Sequence, residues 1–171
     1  SAIIGSDGTR VVACTRMNAT IRHANRSDAE AIADVHNRSR AEAYRGLIAD
    51  DILFGEEHTY ALAQAWREFF TDPVAGARVA VAEVGSQIVG FAYALPADGP
   101  APIELHNLYM LEKAKGTGAA TMLLDAVVEP GEPAFLWVAE WNERAQAFYR
   151  KHGFALDGAE AFHEGDQITV K

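Results

Sequence analysis

IELHNLYMLEKAKGTGAATMLLDAVV, residues 103 to 128, is the stretch from which the fold is read. Ile103 and Leu105 alternate on one parity while Leu108 and Met110 continue on the other, so a two-residue period slips by one near His106 and Asn107. One extra residue in a strand, a β-bulge, produces such a slip, and so does a loop that starts early at His106. Beyond it, Thr117, Thr121, Asp125 and Glu129 recur every four residues among Ala119, Ala120, Met122, Leu123, Leu124, Ala126, Val127 and Val128. One narrow polar stripe on an otherwise apolar helix packs against a sheet. Gly116 and Gly118 stand directly before this helix, although glycine inside a helix costs roughly 0.5 to 1 kcal/mol relative to alanine. First-turn amides have no partner within the helix and sit at the positive end of its dipole, so bare backbone there suits a phosphate. A tight strand-to-helix turn also accounts for a lone GxG. Thr121 argues against a dinucleotide fingerprint, which places a third glycine there, and the spacing of a nucleoside triphosphate loop is absent.

Outward from this core the chain divides into short elements. Thr20 to His23 is a strand, and Ser27, Asp28, Ala29 and Glu30 have the capping-box pattern that opens a helix. Its apolar face carries Ala31, Ile32, Val35 and Tyr44, and Gly46 ends it. A polar connection over residues 47 to 58 leads to a second helix, Tyr60 to Phe70, with Leu62, Ala63, Trp66 and Phe70 at helical spacing. Arg78 to Val84 and Gln87 to Ala94 are strands of a hairpin turning at Gly85 and Ser86. PADGPAP, residues 96 to 102, is a loop. Downstream, Phe135 to Ala139 reads as a buried strand and Asn142 as the N-cap of a helix with Ala145, Phe148, Tyr149 and His152 on one face. Glu143 in its first turn and Arg150 and Lys151 in its last match the helix dipole, and Gly153 stops it.

With 171 residues, 49% of them apolar and 23% charged, the composition is that of one soluble globular domain. Residues 1 to 16 are expected to be an N-terminal extension ahead of a domain over residues 17 to 171. The single cysteine, Cys14, forms no intrachain disulfide, and a reducing cytoplasm is the expected compartment. A net charge of -9 repels nucleic acid and anionic membrane and attracts a cationic substrate.

LYM leading into KAKGTG, together with NERAQAFYRKHGF, resembles the GNAT-type N-acetyltransferases, whose pattern runs Asn, two residues, Ala, two residues, Phe-Tyr, three residues, Gly-Phe. The two blocks keep that family's order and spacing across residues 103 to 158, and VHNRSRAEAYRGLIADDIL, residues 35 to 53, is similar to the first-helix region of bacterial members. The resemblance implies an α/β (α+β) fold: a single mixed, mostly antiparallel sheet of six to seven strands flanked by about four helices, with a β-bulge in the fourth strand. It implies acetyl-coenzyme A as cosubstrate, no metal, and direct acetyl transfer to a primary amine of a small cationic molecule or a peptide. Leu108, Tyr109 and Met110 would line the pantetheine arm and acetyl carbonyl. Ala114, Lys115, Gly116, Thr117, Gly118, Ala119 and Ala120 would cradle the pyrophosphate. Asn142 would hydrogen-bond the coenzyme beside Ala145 and Phe148, and Tyr149 would protonate the departing thiolate. Lys113 stands where the family usually has Gln or Arg, keeping a positive charge but not the planar fork. Pairing into homodimers is frequent in the family.

A lysine-like amine with pKa near 10.4 is neutral in roughly one molecule in 2,500 at pH 7, against about one in seven for an α-amine near 7.8. A side-chain or polyamine acceptor therefore needs a base or proton path. Glu104 and His106 share one parity just before the slip and are the candidates; the plain alternative is a surface carboxylate and a strand histidine. The family's acceptor site draws on the first helices and the last hairpin, here residues 34 to 60 and Ala155 to Lys171, and Tyr44, Tyr93 and His106 are the residues suggested for it. Two other functions remain on the sequence: an acyl-coenzyme A sensor without catalysis, against which Tyr149 and Asn142 argue, and another nucleotide-binding protein, against which Thr121 argues.

Overall fold

The computed structural model describes residues 3–4, 10–11, 18–44, 56–98, 101–156 and 158. Strands β1 (Thr20–His23), β2 (Arg78–Val84), β3 (Gln87–Pro96), β4 (Ile103–Met110) and β5 (Ala134–Leu136) form one sheet in that spatial order. Successive pairs are antiparallel up to β4, and β5 runs parallel to β4. Helices α1 (Ala29–Tyr44), α2 (Glu56–Thr71), α3 (Ala119–Val127) and α4 (Glu143–Lys151) complete the order. Ile3–Ile4 pairs separately with Arg10–Val11. The mixed, mostly antiparallel sheet with four helices matches the expectation. Among the described residues it has five strands rather than six to seven, and residues 159 to 171, most of the expected last hairpin, lie outside them.

Alternation within β2 explains the layering. Val79 and Val81 point to the face covered by α1 and α2, where Ile32, Val35, Ala63, Trp66 and Phe91 are buried. Ala80 and Ala82 point to the other face, joined by Ala92 and Ala94 of β3. This floor of methyl groups lets α3 settle closely, burying Leu123, Leu124 and Val127. Each such side chain contributes about 1.5–3 kcal/mol through removal of apolar area from water.

Several local expectations shift. The capping box closes two residues earlier, with Asn25 accepting from Ser27 N and Asp28 accepting from Asn25 N, because Asp28 is simultaneously gripped by Arg22. The Arg22 guanidinium meets both carboxylate oxygens at 2.7 and 2.8 Å and also reaches Glu83 at 2.7 Å. α2 starts a turn before Tyr60, at Glu56, and β3 runs on to Pro96. β5 is shorter than expected, since Trp137 to Ala139 leave the ladder. Met122 is 42% exposed, outside the buried face of α3. Gly46 and the connection up to residue 55 lie outside the described residues.

The phase slip is a bulge. Tyr93 pairs with Asn107 and Ala94 with Leu105, leaving His106 as the extra residue of β4. Ile103 and Leu105 thus share the α3 face with Leu108 and Met110 despite the change of parity.

Candidate functional site

β4 and β5 pair only through Ile103, Glu104 and Leu105, and the ladder ends beside the bulged His106. Past that point the strands diverge, and the edge of β4 from Leu108 to Met110 becomes one wall of a cleft of about 240 Å³. Ala114, Lys115, Gly116, Gly118 and Ala120 form its second wall, and Asn142, Ala145, Phe148 and Tyr149 its third. The edge of β4, the loop that follows it and the more distant helix α4 therefore meet at one opening. Of the residues expected around the coenzyme, only Thr117 and Ala119 stay out of the lining. Thr117 Oγ1 donates to Ala114 O at 2.7 Å and receives Ala119 N at 3.4 Å, bracing the loop from within. Ala119 is wholly buried against the sheet.

The loop explains its glycines. Gly116 and Gly118 have φ of 79° and 88°, the left-handed region that L side chains avoid. A Cβ on either would meet nothing within 4 Å, so backbone conformation rather than crowding requires glycine. The same left-handed backbone that makes the turn keeps side chains off the loop at Gly116 and Gly118, while Ala114 N, Lys115 N and Ala119 N are already taken by Leu111 O, Glu112 O and Thr117 Oγ1. Gly118 is the N-cap of α3 and has no side chain to cap it, so the first-turn donors face the loop with the positive end of the helix dipole.

Charge at the mouth comes from two other residues than Lys113. Lys113 Nζ turns away to donate to Gln87 Oε1 and is not part of the lining. Lys115 and Arg144 are, and Glu112 lies between them, 2.6 Å from Lys115 and 3.5 Å from Arg144. Lys115, and then Arg144, hold the Glu112 carboxyl below the usual range. Glu112 N in turn donates to Glu42 Oε2 at 3.2 Å, tying this turn to α1.

Asn142 has two jobs available at one amide. Its Oδ1 accepts from Ala145 N at 3.1 Å as the N-cap of α4, which leaves the Nδ2 hydrogens as the donors that can meet a ligand. At the other end of α4, His152 Nδ1 lies 2.8 Å from Phe148 O and Nε2 lies 3.0 Å from Thr121 Oγ1. A carbonyl can only accept, so Nδ1 donates and, in the neutral ring, Nε2 accepts from the threonine hydroxyl. Thr121, the residue that breaks the dinucleotide pattern, is used to lock α3 to α4.

Tyr149 borders this cleft and an adjoining second opening of about 140 Å³, with Ala43, Leu108, Tyr109, Asn142 and Ala145 also common to both. Burial, and to a lesser degree Tyr109, push the Tyr149 phenol well above its ordinary pKa, so it keeps its proton throughout the neutral range. Leu105 to Tyr109, with Trp137, Val138 and Trp141, line the second opening. Glu104 and His106 do face the same side: His106 Nδ1 lies 3.2 Å from Glu104 Oε1, and the imidazole meets the ring of Tyr93 at 5.6 Å. Desolvation, then the Glu104 carboxylate, raises the Tyr93 phenol. Tyr44 closes α1, and its side chain lies outside the described residues.

The family model described as Acetyltransferase (GNAT) family matches residues 42 to 154. The chain belongs to the GNAT acetyltransferase family. It is an acyltransferase, and its curated relatives are named N-acetyltransferases: an uncharacterized N-acetyltransferase of Mycobacterium tuberculosis is 30% identical over 155 residues, covering 85% of this chain and 97% of the relative. A probable N-acetyltransferase of the same organism is 33% identical over 81 residues, 46% of this chain and 47% of its own. Among solved structures, PaiA N-acetyltransferase from Thermoplasma acidophilum in complex with coenzyme A shares the fold at a TM-score of 0.65 and 19% identity, covering 89% and 96% of the two chains. A GNAT-family protein from Desulfovibrio desulfuricans does so at 0.66 and 18% identity, covering 90% and 96%.

Sequence reasoning missed Ser39, Ala43 and Arg144 in the cleft and Trp137 and Trp141 in the second opening. Arg144 was detectable, lying two residues after the N-cap that faces the loop. Nothing local marks Ser39 or Ala43, because the crossing of α1 over the sheet places them. Among the described residues no group of three or more His, Cys, Asp or Glu could hold a metal ion, and no helix is long and apolar enough to cross a membrane.

Proposed function

We propose that this GNAT acyltransferase moves the acetyl group of acetyl-coenzyme A directly to a primary amine on a small cationic molecule or a peptide. The observation that carries the proposal is the pair of openings that meet at Tyr149, one bordered by the phosphate-suited loop and one by Glu104's neighbour His106. The first fits the coenzyme: left-handed glycines keep side chains out of the way of a pyrophosphate, Lys115 and Arg144 supply charge that Glu112 holds until a phosphate competes, and the edge of β4 offers backbone groups to a pantetheine arm. The bound cosubstrate supplies an activated thioester. Asn142 Nδ2 orients it and the Leu108–Met110 backbone polarises its carbonyl, so orientation and fixed donors supply much of the rate. Tyr149, with its raised pKa, first donates a hydrogen bond to sulfur as charge develops there and yields its proton only as the carbon–sulfur bond breaks.

The second opening admits the amine. Glu104 takes its proton directly or through His106, which a side-chain amine near pKa 10.4 requires. Trp137 and Trp141, 39% and 43% exposed, offer aromatic faces to a cation at that mouth, and the net charge of -9 draws cations to it. Thermal unfolding with saturating acetyl-coenzyme A tests the first half: stabilisation by about 3 kcal/mol is expected at a hundredfold excess over Kd, and no stabilisation would refute the reading. An amine panel followed by thiol release and product mass gain tests the second. Coenzyme binding without turnover on any amine would favour a sensor role.

A further inference from the structure

Ser39, in the third turn of α1, is 6% exposed, and its hydroxyl has no hydrogen-bond partner. A helical serine ordinarily returns its hydroxyl to a carbonyl one turn back or points it to solvent. Doing neither inside a buried wall is costly, and such a group in a folded protein calls for a reason. The same side chain lines the cleft with Leu108, Tyr109 and Met110. Two ties prevent α1 from rotating it away. His36 stacks on Tyr109 with centroids 4.8 Å apart, and Glu42 accepts from Glu112 N at 3.2 Å. Ser39 belongs to the first cleft and not to the second opening around His106, so it stands beside the arm of a bound coenzyme rather than on the acceptor side.

We infer that Ser39 Oγ donates a hydrogen bond to an amide carbonyl of the pantetheine arm, which makes it a determinant of coenzyme affinity that is paid for in the ligand-free fold. The inference rests on the coenzyme reading of the cleft. Pantetheine carries secondary amides, each with a carbonyl acceptor, and a serine hydroxyl held without an internal partner matches one of them. A structural serine and a ligand-binding serine then predict opposite signs. Removing an internally bonded hydroxyl destabilises the free protein; removing an unpartnered one stabilises it while weakening the ligand.

The test is Ser39→Ala in the full chain, with thermal unfolding of the free protein and calorimetric titration of coenzyme A, acetyl-coenzyme A and 3′,5′-ADP, which lacks the arm. The melting temperature of the variant is expected to rise by about 1–4 °C. Its affinity for coenzyme A and acetyl-coenzyme A should fall roughly 3- to 10-fold, and that for 3′,5′-ADP should stay within about twofold. A lowered melting temperature, an equal loss for 3′,5′-ADP, a loss confined to acetyl-coenzyme A, or no loss at all would each overturn the inference. If the wild-type chain binds none of the three ligands, the coenzyme reading itself fails, a result separate from any behaviour of the variant.

Discussion

The two halves of β4 are built from similar residues and do opposite work. Ile103, Glu104 and Leu105 are paired on both sides, by β3 and by β5. After the bulge at His106, Asn107 to Met110 keep β3 alone among the described residues. The first half is framework, its backbone groups used up in two ladders. The second half has an edge to offer a ligand, and the bulge is the device that separates them, since one extra residue bends the strand and interrupts pairing. Side chains follow the same division: Leu105 is 3% exposed in the core, whereas Leu108 is only partly buried against it.

The largest expected effect contrasts these two leucines. Leu105→Ala should cost about 2–5 kcal/mol of stability and leave the coenzyme affinity of the remaining folded protein near its original value. Leu108→Ala should cost less than half as much and weaken coenzyme binding more. Denaturant unfolding with parallel titrations decides it, and equal behaviour of the two variants would erase the distinction between the halves. Next comes Tyr149→Phe, expected to lower turnover about a hundredfold, near 2.7 kcal/mol, with coenzyme affinity retained; unchanged turnover would remove the phenol from the reaction. Glu104→Gln, on the framework half and outside the lining of the second opening but 3.2 Å from His106, which does line it, should lower kcat/KM about tenfold for a high-pKa amine and less for an α-amine, because the more basic amine depends more on a proton acceptor. Equal losses on both amines would point to a placement effect instead.

The smallest effect is a control far from the cleft. The Arg22 guanidinium, then the Asn25 amide, hold the Asp28 carboxyl below its ordinary range against the opposing effect of burial. A depressed folded pKa adds stability that is present above the unfolded value near 3.9 and lost as pH falls through the folded one. Asp28→Asn should therefore cost about 1 kcal/mol at pH 7, modest because Arg22 is one-third exposed. The difference from wild type should begin to shrink near the unfolded value and vanish in acid below the depressed folded one. Unfolding midpoints measured across that range check the sign, and coenzyme binding should not change at any pH where the variant is folded.

Much of the framework was legible from local pattern, whereas the cleft's lining was implied by the family resemblance. Strand and helix periods depend on which side of a backbone a residue leaves, so the hairpin at Gly85, the slip at His106 and the end of α4 at Gly153 could be read in place. The capping box was misplaced because Asn25–Asp28 and Ser27–Glu30 fit the pattern alike, and only Arg22, brought in on β1, selects between them. Lys113 shows the same limit within the loop. Its charge was visible, but the start of β3 supplied Gln87 and turned it outward, while Lys115 and Arg144 took the mouth.

By itself the sequence determined which backbone could bend left-handed, where the two-residue period slips and which helix must lie on a sheet, because these follow from the stereochemistry of neighbouring residues. The tertiary structure alone decided that Leu108, Gly116, Asn142 and Tyr149 share one cleft, and that Ser39, its buried hydroxyl without a partner, stands in the lining. Those contacts depend on α1 and α4 packing against opposite faces of the sheet, and no local pattern encodes the angle at which two distant elements meet.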